Sequence, residues 1–104
     1  MQLKRFLYKR GNSYETTIPQ ILLLGLDSKK KYDVIFEFKD NKWFISFGSP
    51  KKEKNINKIR RKLYQRGSSF EVTIPKILLF NLDLSKKHSV IFKKQANRWS
   101  IEIK

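Results

Sequence analysis

The chain carries one composite segment twice. "RGNSYETTIP" at residues 10–19 returns as "RGSSFEVTIP" at 66–75. A shift of 56 residues superposes the copies without a gap, from Leu7 on Leu63 to the C-terminal strand. Tyr8 falls on Tyr64, Arg10 on Arg66, Gly11 on Gly67, Ser13 on Ser69 and Glu15 on Glu71. Further along, "TIP", "ILL", Leu26-Asp27, Lys30-Lys31, "VIF", Trp43 and Ile45 all meet their equivalents. A solenoid stacks roughly three or more units, so two copies point instead to a pseudo-two-fold domain, a dimer fused into one chain. One copy alone, about 42 residues, buries too little surface to offset its conformational entropy. The two copies must therefore complete a shared core.

Each copy reads as β-β-α-β-β. Residues 4–9 and 60–65 alternate aromatics with charges and are β-prone. Gly11-Asn12-Ser13 and Gly67-Ser68-Ser69 are turn residues. A strand follows in which Tyr14, Thr16 and Ile18 share a face; the equivalent face, Phe70, Val72 and Ile74, is wholly apolar and marks the buried side. Glu15 and Thr17 then face outward. Pro19 and Pro75 end the strand and suit the first turn of a short helix, "QILLLGL" or "KILLFNL". A closing hairpin turns at "KDNK" or "QANR". Its inner face is Trp43/Ile45/Phe47 or Trp99/Ile101/Ile103, and this alternation makes the tryptophans core residues rather than base-stacking platforms. Residues 1–47 form repeat 1 and 60–104 repeat 2, with a basic linker at 48–59. The expected fold class is mostly β, with two short helices and the repeats joined in one globular unit.

Charge narrows the function. The formal net charge is +15, which favours a polyanionic partner. Residues 48–62 hold seven Lys/Arg against one acid and are the most basic stretch of the chain. Hydrophobic residues make up 39%, enough for a packed core and too many for a disordered chain. The absence of cysteine excludes disulfides and thiolate metal sites. The apolar run "ILLLGL" is far shorter than the roughly 20 residues of a membrane-spanning helix, and the first ten residues lack a signal-peptide core. A cytoplasmic, nucleoid-associated protein is expected, with no membrane partner. His88 is the lone histidine and the serines at 13 and 69 have no histidine beside them, so catalysis, a metal, a cofactor and a small-molecule substrate are not expected.

Arg and Lys neutralise phosphates, and Arg adds a bidentate fork for guanine. Asn, Ser and exposed N–H groups at a glycine turn can hold phosphate oxygens. A two-stranded ribbon fits the major groove. Each feature also has a plainer reading. Arg10 and Arg66 can pair with Glu15 and Glu71 across the hairpin. Lys29–Lys31 and Lys86-Lys87 can complement a helix C-terminus. The linker lysines can be merely solvated.

The string "YKRGNSYETTIPQILLLGLDSKKKYDVIFEF…KWFISF" resembles the SpoVT/AbrB/MazE family of swapped-hairpin DNA-binding domains, and both copies carry the pattern. The resemblance implies that the two copies interleave their hairpins into a barrel within one chain. It also implies that the chain is a DNA-binding transcription regulator acting on duplex DNA as a single-chain pseudo-dimer. Carried onto this sequence, the DNA-facing positions are Lys9, Arg10, Asn12 and Ser13, with Gln65, Arg66, Ser68 and Ser69 as mates, and Arg5 and Arg61 on the first strands. Two related arms would then meet two related half-sites. The chain departs from the family at Thr17 and Thr73, where relatives often carry arginine before "IP", and at Tyr32-Asp33 and His88-Ser89, where the family has a Gly-Asp turn. An antitoxin-like protein-interaction module is the alternative; no toxin-binding tail is expected after the last strand, "IEIK", whereas Phe38 and Phe44 offer an apolar patch for a partner or a homodimer. RNA binding is the third reading.

Overall fold

A computed structural model of the chain describes residues 1–52, 55 and 57–104. Glu53, Lys54 and Ile56 of the expected linker lie outside the described residues. The protein is mostly β, built from ten strands in two antiparallel sheets among the described residues. In repeat 1 these are β1 (Gln2–Phe6), β2 (Tyr8–Arg10), β3 (Ser13–Thr17), β4 (Asp33–Lys39) and β5 (Lys42–Gly48). Their equivalents are β6 (Lys58–Lys62), β7 (Tyr64–Arg66), β8 (Ser69–Thr73), β9 (Ser89–Gln95) and β10 (Arg98–Ile103).

The larger sheet runs β1-β9-β10-β5-β4-β6 and the smaller one β2-β3-β8-β7. Each first strand lies on the other copy's hairpin: Gln2 pairs with Lys93, and its equivalent Lys58 with Glu37. The copies also meet at equivalent positions, Thr16 opposite Val72 in the small sheet and Phe44 opposite Ser100 in the large one. A pseudo-two-fold axis therefore bisects both sheets.

The expected single strand at 4–9 is split, as is the one at 60–65. Leu7 donates its N–H to the His88 carbonyl at 3.0 Å and Leu63 to that of Tyr32 at 3.1 Å. These bonds end one ladder, and the chain crosses to the other sheet at that residue. Thr16 Oγ1 stitches the sheets further by donating to the Phe6 carbonyl at 2.9 Å. The edges β1, β6, β2 and β7 stay open, so the expected closed barrel is not formed among the described residues.

The helices are smaller than expected. Gln20–Leu23 and Lys76–Leu79 are each one 3-10 turn, without a side-chain cap. Seven residues hold too few i to i−4 bonds to propagate an α-helix. Each run gives way to a turn at equivalent positions: Leu24 and Phe80 are extended, with ψ of 134° and 135°, and Gly25 (φ 86°) and Asn81 (φ 71°) follow in the left-handed region.

Between the sheets sits one core. Ile18, Val34, Phe36 and Ile45 are buried with their equivalents Ile74, Val90, Phe92 and Ile101. Trp43 and Trp99 are partly buried against this cluster, as the alternation requires. Fully burying each large apolar side chain is worth about 1.5–3 kcal/mol, and here both copies supply it to the same cluster.

Candidate nucleic-acid interface

The β2–β3 hairpin closes with Arg10 opposite Ser13 and the β7–β8 hairpin with Arg66 opposite Ser69, so the loops are Gly11-Asn12 and Gly67-Ser68. Gly11 and Gly67 hold φ of 62° and 64°, the conformation that a two-residue hairpin needs at its first central residue. A Cβ at either glycine would touch nothing within 4 Å, so the requirement is one of backbone angle rather than of space.

Antiparallel alternation sorts the side chains. Tyr8, Arg10, Ser13, Glu15 and Thr17 share the outer face of the small sheet with Tyr64, Arg66, Ser69, Glu71 and Thr73. Lys9 and Gln65 lie opposite Tyr14 and Phe70, on the other face. Both are exposed, and neither joins the arginines. Asn12 and Ser68 are exposed at the hairpin tips.

The expectation that Glu15 faces solvent is overturned. Glu15 and Glu71 are only 6% and 7% exposed, covered by arginine and tyrosine side chains of the neighbouring strands. Arg10 Nε donates to Glu15 Oε1 at 2.9 Å, and Arg66 Nε to Glu71 Oε1 at 2.9 Å. The pairing also crosses the axis, with Arg10 Nη2 3.7 Å from Glu71 Oε1 and Arg66 Nη2 3.9 Å from Glu15 Oε1. Thr73 Oγ1 donates to Glu15 Oε2 at 3.4 Å. Each guanidinium lies over a tyrosine ring, Arg10 at 5.4 Å from Tyr8 and Arg66 at 5.1 Å from Tyr64. Both arginine side chains keep 44–45% of their surface exposed.

These groups tune one another. Burial would push the Glu71 carboxyl up, but Tyr8 and the charges of Arg66 and Arg10 outweigh it and hold the group below its ordinary value. Burial and then the neighbouring carboxylates, Glu71 for Tyr8 and Glu15 for Tyr64, push both phenols up. The Arg10 guanidinium is pushed up by Tyr8 and by Glu15, against burial and the like charge of Arg66. Arg66 is pushed up by Tyr64 and Glu71. Both Tyr hydroxyls are buried without a hydrogen bond of good geometry among the described residues.

The first-strand arginines sit elsewhere. Arg5 and Arg61 each lay a guanidinium on their own strand, donating to the Lys4 and Arg60 carbonyls at 2.8 Å. Arg61, Asn12 and Ser13 line one open groove of about 600 Å³ together with Lys76, Phe80 and Leu84. A second, smaller cleft of about 110 Å³ has Leu23, Ser28, Lys30, Tyr32 and Phe70 in its lining.

The patch expected at Phe38 and Phe44 is partly covered. The Arg98 guanidinium stacks 4.1 Å from the Phe44 ring and pairs with Glu37 at 2.8 Å. Phe38 packs on Trp43, with ring centroids 5.2 Å apart. Tyr32 and His88 reach back to equivalent residues: Asp27 N donates to Tyr32 Oη at 2.8 Å and His88 Nε2 lies 2.7 Å from the Asp83 carbonyl. Sequence reading missed Tyr8, Tyr64, Lys76 and Phe80. The tyrosines were detectable, because Tyr8 and Arg10 alternate onto the face of Glu15; Phe80 carried no local signal.

Compared with family models, with curated proteins and with solved structures, the chain gives no match. No helix among the described residues is long and apolar enough to cross a membrane.

Proposed function

We propose that the chain is a DNA-binding transcription regulator of the SpoVT/AbrB/MazE kind, acting as a single-chain pseudo-dimer with the swapped-hairpin arrangement that its sequence resembles. One observation carries this reading. Arg10 and Arg66, from two distant copies of one motif, come together on a single sheet face, half-exposed and backed by carboxylates. A net charge of +15 supplies the sequence-independent attraction to phosphate. Arg5, Arg61, Asn12, Ser13 and their mates are the backbone-contacting set. The role assigned is recognition rather than catalysis.

The test is binding to duplex DNA across a salt series. Log affinity should fall against log salt with a slope of about −0.9 per phosphate contact; a flat response would falsify the reading. Replacing both Arg10 and Arg66 by Lys, which keeps a counter-charge beside each covered carboxylate but loses the fork, should abolish preference for the best duplex of a randomised pool while leaving the circular dichroism spectrum unchanged. Tighter binding to RNA than to that duplex would transfer the interface to RNA.

A further inference from the structure

The four ion-pair distances bear on how such a protein reads DNA. Glu15 Oε1 and Glu71 Oε1 each touch both guanidinium groups, at 2.9 and 3.9 Å and at 2.9 and 3.7 Å. Two cations that would repel are thereby held against the same pair of oxygens. The carboxylates are largely covered and their counterparts are not, so the buried half of the cluster is fixed and the exposed half is presented. An Arg carries five N–H donors. The carboxylates engage Nε and Nη2 and a tyrosine lies against each guanidinium, so what a ligand can reach is the exposed part of each fork, on side chains that keep 44–45% of their surface.

Position adds a second constraint. The axis passes between Thr16 and Val72, and Glu15, Thr17, Glu71 and Thr73 flank it. The hairpin ends at Ser13 and Ser69 lie three residues from the axis in opposite directions, about 10 Å on either side at about 3.3 Å per residue. Half-sites read by a dimer of recognition helices are about 34–36 Å apart. This small sheet cannot span that distance with its arginines.

We propose that Glu15 and Glu71 are positioning residues that lock Arg10 and Arg66 into one two-arginine head on the pseudo-two-fold axis, which reads adjacent base pairs at the centre of a contiguous site. This rests on the DNA-binding reading above. It replaces the expectation of two separate half-sites. It also divides labour: the head is close to neutral, two cations on two anions, so it selects sequence and adds little to salt-dependent affinity. The salt-dependent attraction comes from the rest of the +15 net charge, and the hairpin tips meet phosphates on either side of the centre.

The experiment compares the wild-type chain with Glu15→Gln/Glu71→Gln on two duplexes of equal length, the one enriched from a randomised pool and a shuffled control. Removing two negative charges should tighten binding to the shuffled duplex several-fold and steepen its salt dependence. Freeing the forks should lower discrimination between the duplexes by about tenfold or more. Arg10→Lys and Arg66→Lys keep the charge and lose the fork, and their effects on discrimination should be non-additive because both hold the same oxygens. Hydroxyl-radical protection of the enriched duplex by the wild-type chain should be one continuous tract.

Undiminished discrimination by the glutamine variant, additive lysine effects, or two protected tracts a helical turn apart would each overturn the positioning role while leaving DNA binding in place. A wild-type chain with no preferred duplex removes the DNA reading, and this proposal with it. Should the glutamine variant lose its circular dichroism spectrum, the lysine pair and the protection pattern decide alone.

Discussion

The pseudo-two-fold axis crosses the protein twice, and the two crossings are built differently. In the large sheet it passes between Phe44 and Ser100, and the two copies have drifted apart. Phe44 lies under Arg98, which is anchored by Glu37, while Ser100 is buried and donates to the Lys93 carbonyl at 3.3 Å. In the small sheet the axis passes between Thr16 and Val72. There the outer face is the same in both copies: Tyr, Arg, Ser, Glu and Thr on either side. A packed layer needs only a filled volume, which unlike side chains can supply together. A cluster in which each carboxylate serves both arginines works only if both halves are present. Symmetry is retained where the halves share atoms, and relaxed where they only share space.

The comparison can be broken most forcefully in the core. Phe36 and Phe92 are equivalent and fully buried. Truncating either to Ala should cost about 3–5 kcal/mol, read from urea unfolding. Costs that differ by more than about 1 kcal/mol would show that the core, like the crossing above it, has lost its equivalence. Acid should act next, on the small sheet. The folded-state pKa of Glu71 lies below its unfolded value. Its contribution is therefore fully present above about pH 4.3 and is lost as pH falls through the lower folded value. The raised phenols of Tyr8 and Tyr64 give the opposite arm, a loss of stability as pH rises above about 10. Glu71→Gln should flatten the acid arm in a series of urea midpoints; an unaltered acid arm would place the acid sensitivity outside the cluster.

The smallest effects belong to the turns. Gly11 (φ 62°) and Ala96 (φ 53°) take the same left-handed conformation at the first central position of a two-residue hairpin. Gly11→Ala should destabilise by about 1 kcal/mol, through backbone angle alone because its Cβ would meet open space. Ala96→Gly should stabilise by about 0.5 kcal/mol. Thermal midpoints that move in the same direction for both would contradict this account.

What could be read from the sequence was whatever is decided locally. Alternation in "VIFEF" and "WFISF" marks strands, and "KDNK" takes the tight turn its residues suit, with Asp40 and Asn41 at φ of 54° and 61°. The repeat exposed the axis. The break at Leu7 could not be read, because it depends on the His88 carbonyl, far along the chain. The burial of Glu15 was hidden for a related reason. Alternation assigns it correctly to the outer face, and among the described residues its cover is Arg10, Arg66 and Tyr64, side chains that themselves look solvent-bound. The length of the helices was overestimated because a proline and a leucine run mark a start, while the stop is a turn made by backbone angle, with Leu24 and Phe80 extended and Gly25 and Asn81 left-handed.

The exchange of first strands also sets a schedule. Gln2 pairs with Lys93 and Phe6 with Ser89, so β1 is made early and finds its partner only when the last hairpin exists. At about 5–20 residues per second, a nascent chain carries that strand unpaired for several seconds. Phe6, 72% exposed even after folding, is then displayed on an open edge. Because loop closure across most of the chain must precede this pairing, folding should be slow for so small a protein. The basic residues Lys4 and Arg5 beside Phe6 are the chain's own guard against that edge pairing with a neighbour during the wait.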